Sequence, residues 1–181
     1  MFREDKATAM TAFFLSKTQD RKLNDIKLMK LLYIAERTSL ERYATPISYD
    51  QFCSMEHGPV LSGTYELLTD KEKTPTWDKH ISPLSLYVFG GDQSVSLLED
   101  ISWDEILRQC DVEILDYVWD TFGHMSKWQI KKYCHDNFPE YDERPEAMKT
   151  SIGLDLETIF VALGDNQELA AEKAEDVKFY A

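Results

Sequence analysis

Glu56 and His57 stand directly before Gly58-Pro59. A carboxylate beside an imidazole on a rigid corner has the residue types for proton transfer or for a metal loop. The rest of the chain supplies little to complete either. The other histidines are His80, His124 and His135, and the cysteines are Cys53, Cys110 and Cys134. Cys134 and His135 are neighbours, so on a helix their side chains point about 100° apart and form no dyad. With His124 they lack i, i+4 spacing and a fourth ligand within reach in sequence. Odd, widely spaced cysteines without C-x-x-C suit a reducing cytosol better than a disulfide framework or zinc ribbon. Carboxylate pairs such as Asp111/Glu113 and Asp116/Asp120 are ordinary in so acidic a chain, and Asp116 and Asp120 read as a solvated face. There is no G-x-S-x-G, no H-E-x-x-H and no dinucleotide fingerprint, and Gly90-Gly91 lacks the P-loop lysine. No catalytic residue, cofactor or metal is therefore expected. An enzyme assembled from distant residues remains as an alternative.

Around these residues the hydrophobic pattern predicts an α+β fold, predominantly helical, with about six or seven helices and a small antiparallel hairpin or sheet. Ala7, Met10, Phe13 and Phe14 mark an opening helix. Asn24 or Asp25 caps the next, Leu28, Leu31, Leu32 and Ala35 trace its core stripe, and Pro46 stops it. "PISYDQFCSME" suggests one or two short strands, and Lys71–His80 a polar loop. Leu84, Leu86 and Val88 alternate with Ser85, Tyr87 and Phe89, Gly90-Gly91-Asp92-Gln93 turns, and Val95 and Leu97 return as a hairpin. One long helix follows from Ser102 to Gly123, with Ser102 and Glu105 as a capping box. A second box, Ser126 with Gln129, opens a helix that Pro139 ends. "SIGLDLETIFVALG" reads as another helix. Residues 1–165 are taken as a single domain and 166–181 as an acidic C-terminal helix or tail.

Length and charge narrow the function. The 181 residues suit one domain, no apolar run approaches the ~20 residues of a membrane span, and the charged start lacks a signal core. A cytoplasmic protein is expected. The net charge of −13 falls almost entirely after Leu98. A broad phosphate-binding face is thereby disfavoured, and a basic protein partner suits the acidic half.

Gly58 reaches backbone angles closed to other residues, and Pro59 has fixed φ and no N–H, both tolerated in the first turn of a helix. The corner is thus expected to carry the chain from an extended segment into a helix, displaying Glu56 and His57. Several segments in order then resemble the Panacea domain, also called SocA-like. Lys27, Leu28, Lys30, Leu31, Leu32 and Tyr33 match its K-L-x-K-L-L-Y-like helix. Gly58, Pro59, Val60 and Tyr65 match its G-P-V and following aromatic. Ser126, Trp128, His135, Pro139, Glu140 and Tyr141 match its small-x-W/L, histidine and P-E-W/Y.

The resemblance implies an antitoxin of a bacterial or phage toxin–antitoxin pair, which binds a cognate toxin protein, often encoded next door. One branch of the family acts instead as an adaptor delivering toxin to a ClpXP-type protease, and that is the alternative here. No nucleic acid or membrane partner is expected. Candidate toxin-binding residues are Glu56, His57, Trp103, Trp128 and Tyr141.

Overall fold

The computed structural model describes residues 1–55, 58–69, 74–82, 84, 93–141 and 151–180. Helix α2 (Asp25–Tyr43) runs through its middle. Asn24 caps it, its side chain accepting from Ile26 N and Lys27 N, and Ala44 closes it in the left-handed region two residues before Pro46. From Asp25 to Glu36 only Lys27 is not fully buried. The apolar stripe anticipated one covered face, but neighbours cover the whole helix. They are α1 (Glu4–Ser16), α6 (Gln109–Phe122), α7 (Lys127–Asn137) and strand β3 (Gly58–Leu61). Leu28, Leu31, Leu32 and Ala35 do lie in the core, each leucine contributing about 1.5–3 kcal/mol by burial.

Nine helices and two small antiparallel sheets are present among the described residues, so the six or seven helices expected from sequence are too few. Two local causes account for the excess. The first is in the segment read as a polar loop: α4 (Pro75–His80) forms where Thr74 accepts from Trp77 N, with Pro75 in the first turn. Burial of Trp77, 1 % exposed, anchors it. The second is a break in the expected long helix. Helix α5 (Trp103–Ile106) ends at an extended Leu107, and α6 restarts from Arg108. Ser102 makes no side-chain cap there. Asp111 does the capping, accepting from Arg108 N at 3.0 Å and from its guanidinium at 2.7 Å, and buried Lys6 reaches the same carboxylate at 2.9 Å.

The Gly-Pro corner also differs from expectation. Pro59 is not in a helix but in β3, antiparallel to β2 (Phe52–Met55) with Phe52 opposite Leu61. That sheet has the order β3-β2-β5, with β5 at Ile152–Gly153, so β3 is an edge, where a missing proline N–H leaves no ladder bond broken. Helix α3 (Ser62–Leu68) starts later because Asp50 accepts from Gly63 N at 2.7 Å and Thr64 N at 2.8 Å. Likewise α8 (Leu156–Ala162) begins at its Asp155 cap, and the preceding Ile152–Gly153 forms β5 beside β2.

Of the expected hairpin, residues 85–92 lie outside the described residues. Its return, β4 (Ser94–Ser96), pairs with β1 (Lys22–Asn24). Helix α9 (Gln167–Tyr180) packs on α8 through Ala170, Ala174 and Val177.

Asp111 is completely buried between two cations on different elements. Asp111→Ala strands Lys6 inside the fold and is expected to cost about 3–5 kcal/mol. Asp116→Ala, which breaks only the exposed pair with Lys17, should cost under about 1 kcal/mol. Urea unfolding of the two variants measures the difference.

Candidate partner-binding site

The motif segments, far apart in sequence, converge on α2. Lys30 is fully buried, and its Nζ donates to the Pro59 carbonyl at 2.6 Å. Gly58 has φ +99°, and a Cβ placed there would lie 2.9 Å from Lys30 Nζ and 3.1 Å from His135 Nε2. Only glycine therefore lets β3 pass between the lysine of α2 and the histidine of α7. Tyr141 stacks on His135 with ring centroids 4.5 Å apart, and its hydroxyl donates to Met55 O at 3.4 Å.

One turn further along α2 lies a second junction. Tyr33, fully buried, donates to Glu140 at 3.2 Å, and Arg37 pairs with the same carboxylate at 2.7 Å while stacking over Phe138. Glu36, beyond it, accepts from Ile47 N at 2.6 Å, from Ser48 N at 2.7 Å and from the Ser48 hydroxyl.

Burial sets the electrostatics here. Desolvation lowers the Lys30 ammonium to about 7 and lifts the Glu36 carboxyl to about 7. It also pushes the Cys53 and Cys134 thiols up to about 12, which keeps both as inert thiols. Among the described residues no three histidine, cysteine or acidic side chains gather as a metal site.

The sequence-derived positions divide into scaffold and surface. Leu28, Leu31, Tyr33, Gly58, Pro59 and Val60 are buried, whereas Tyr65 is half-buried. Ser126 caps α7 by accepting from Gln129 N, with the Gln129 side chain returning to Ser126 N, and Pro139 is exposed beyond its end. Among the proposed contact residues, Trp103 is half-buried and packs edge-on against Phe13, 5.6 Å between centroids. It belongs with the core. Tyr141 is half-buried on His135. Of these candidates, Trp128 alone among the described residues stands well out, 62 % exposed. Glu56 and His57 lie outside the described residues.

Trp128, Lys131, Lys132 and His135 share one face of α7 and, with Asp136, line an open groove of about 490 Å³. A second, more apolar concavity of about 470 Å³, between Tyr49, Phe52, Leu154 and Val177, contains none of the motif residues.

Sequence reasoning missed that Glu36 and Arg37 serve as internal ties. The only available signal was their placement directly after Tyr33-Ile34-Ala35 on a strongly apolar helix. It also missed the lysines beside Trp128, because the acidic half was judged by its net charge.

The chain belongs to the SocA-like antitoxins with a Panacea domain, whose family model matches residues 28–139. Neither the curated proteins nor the solved structures give a match. No helix among the described residues is long and apolar enough to cross a membrane.

Two variants test the convergence point. Gly58→Ala puts a methyl against Lys30 and His135 at a positive φ, and should destabilise the fold by about 1–3 kcal/mol, read as a lower thermal midpoint. The second concerns pH. Between about 7 and the unfolded value of 10.5, the unfolded chain holds a proton on Lys30 that the folded one has released. Stability from this group therefore rises with pH, the burial penalty being complete below about 7. Above 9, Cys53 and Cys134 oppose the trend, since the folded thiols keep protons that the unfolded ones lose. From pH 7 to 9 the Lys30 contribution should amount to about 1–3 kcal/mol and vanish in Lys30→Met, as measured by denaturant titration.

Proposed function

We propose that this protein is a cytoplasmic antitoxin that neutralises a cognate protein toxin by direct binding and catalyses no reaction itself. The family match over residues 28–139 carries this reading. The arrangement of the motif residues supports it. Most of them are spent on holding α2, β3 and α7 together, and they leave an exposed aromatic on a rigid helix. Such a surface suits docking by a few anchors. The buried, high-pKa thiols of Cys53 and Cys134 add nothing nucleophilic beside His135.

Delivery of toxin to a ClpXP-type protease is a second reading, favoured by one observation. Helix α9 lies beyond the matched residues and carries Phe179, 82 % exposed, in its last turn.

The test is co-expression with the protein encoded by the adjacent reading frame. That neighbour should arrest growth when expressed alone, and the present chain should restore growth and co-purify with it. A neighbour that is harmless alone would remove the reading. Toxin half-life separates the two modes. It is unchanged under direct neutralisation, and it shortens in a protease-dependent way if the chain is an adaptor.

A further inference from the structure

The exposed face of α7 carries charge opposite to that of the chain. The protein has a net charge of −13, yet α7 holds Lys127, Lys131 and Lys132 against a single acid, Asp136. Lys132 is held by Asp136 at 2.8 Å. Lys131 forms no ion pair among the described residues, and its charge is felt by the buried Lys30 beneath it. Lys127 Nζ lies 4.9 Å from the centre of the Trp128 ring. The tryptophan, Lys131, Lys132 and His135 repeat at helical spacing along the groove, and Asp136, the partner of Lys132, completes its lining. Leaving a tryptophan in water among cations contributes nothing to the fold, because α7 already holds its place through Ile130 and Cys134, both fully buried. An exposed tryptophan among cations on a pre-ordered helix is the composition of an interface anchor with a polar rim.

Resting on the antitoxin reading, the geometry points to this α7 groove as the face that docks the toxin, through an acidic segment of it. Trp128 is the apolar anchor, and Lys131 meets a carboxylate that flanks it. This revises the expectation of purely acidic complementarity: whatever the toxin's overall charge, the segment seated here is negative. A protein segment fits better than a nucleic acid. Acidic charge over the rest of the chain repels a long polyanion outside the patch, whereas a short acidic segment needs only local complementarity.

Two arms test the inference. The first uses the toxin recovered by co-expression. Trp128→Ala and Lys131→Glu should each weaken its binding by about 30-fold or more. An acid-to-lysine substitution in the toxin should then restore binding to Lys131→Glu but not to Trp128→Ala. Tyr117→Ala, on the exposed side of α6, should change nothing. Wild-type rescue with undiminished binding by both α7 variants would overturn the site while leaving the antitoxin reading intact.

The second arm needs no toxin. The full chain is titrated with a short synthetic helical peptide of glutamate and leucine, with its lysine-for-glutamate counterpart, and with single-stranded RNA. The readout is the Trp128 indole signal by NMR. Only the glutamate peptide should move it, and Lys131→Glu should abolish the shift. No shift with that peptide, or a larger one with RNA, would overturn the proposal even where no toxin is found. Trp128 is exposed and Lys131 half-buried, and an unchanged thermal midpoint confirms that the variants are folded.

Discussion

A lysine ammonium enclosed in the core, hydrogen-bonded to the carbonyl of Pro59, fixes the relation between the central helix and the Gly-Pro strand. Burying that group is costly, and the fall of its pKa to about 7 expresses the cost. The contact is possible only because Gly58 has no side chain. The same absence lets His135 close over the strand from the other side. Three elements from separate parts of the chain are thus held at one point, and any side chain at position 58 would push them apart.

The other polar groups buried on α2 extend this arrangement. Tyr33 and Arg37 hold Glu140 after α7 ends, and Glu36 holds the backbone at Ile47 and Ser48. Each satisfies a charge or donor that would be expensive to leave unpaired, and each is specific about which later segment it accepts. Apolar burial alone would supply more stability per residue, but it would not set the angle and register of α7 so narrowly. The capping box at Ser126 completes the positioning from the other end.

Fixing α7 in this way has a consequence for recognition. A side chain that must act as an anchor loses less entropy on binding when its helix is already immobile. Trp128 sits two turns before His135 on the same helix, so the core contact that fixes one also orients the other. The local charge around it differs in sign from the protein as a whole. Net charge governs encounter at a distance, and the few residues at the contact govern which segment fits.

Much of the architecture was legible without coordinates. The Asn24 cap, the core stripe of α2, the Ser126–Gln129 box and the stop at Pro139 are local signals, each set by backbone hydrogen bonding within a turn or two. The ordered motif segments were legible as a resemblance. The errors share one physical cause: at each, a side chain from elsewhere decided the local outcome. Asp50 delays α3, leaving Pro59 in a strand. Asp111, drawn by Lys6, breaks the long helix at Leu107. Burial of Trp77 turns an apparent loop into α4. Sequence alone determined where apolar periodicity and capping residues begin and end the main helices, because those depend on neighbours a few positions away. Only the tertiary structure decided that Lys30, Gly58, His135 and Tyr141 meet, and that Trp128 rather than Trp103 faces water, because those depend on contacts between segments that the chain order keeps apart.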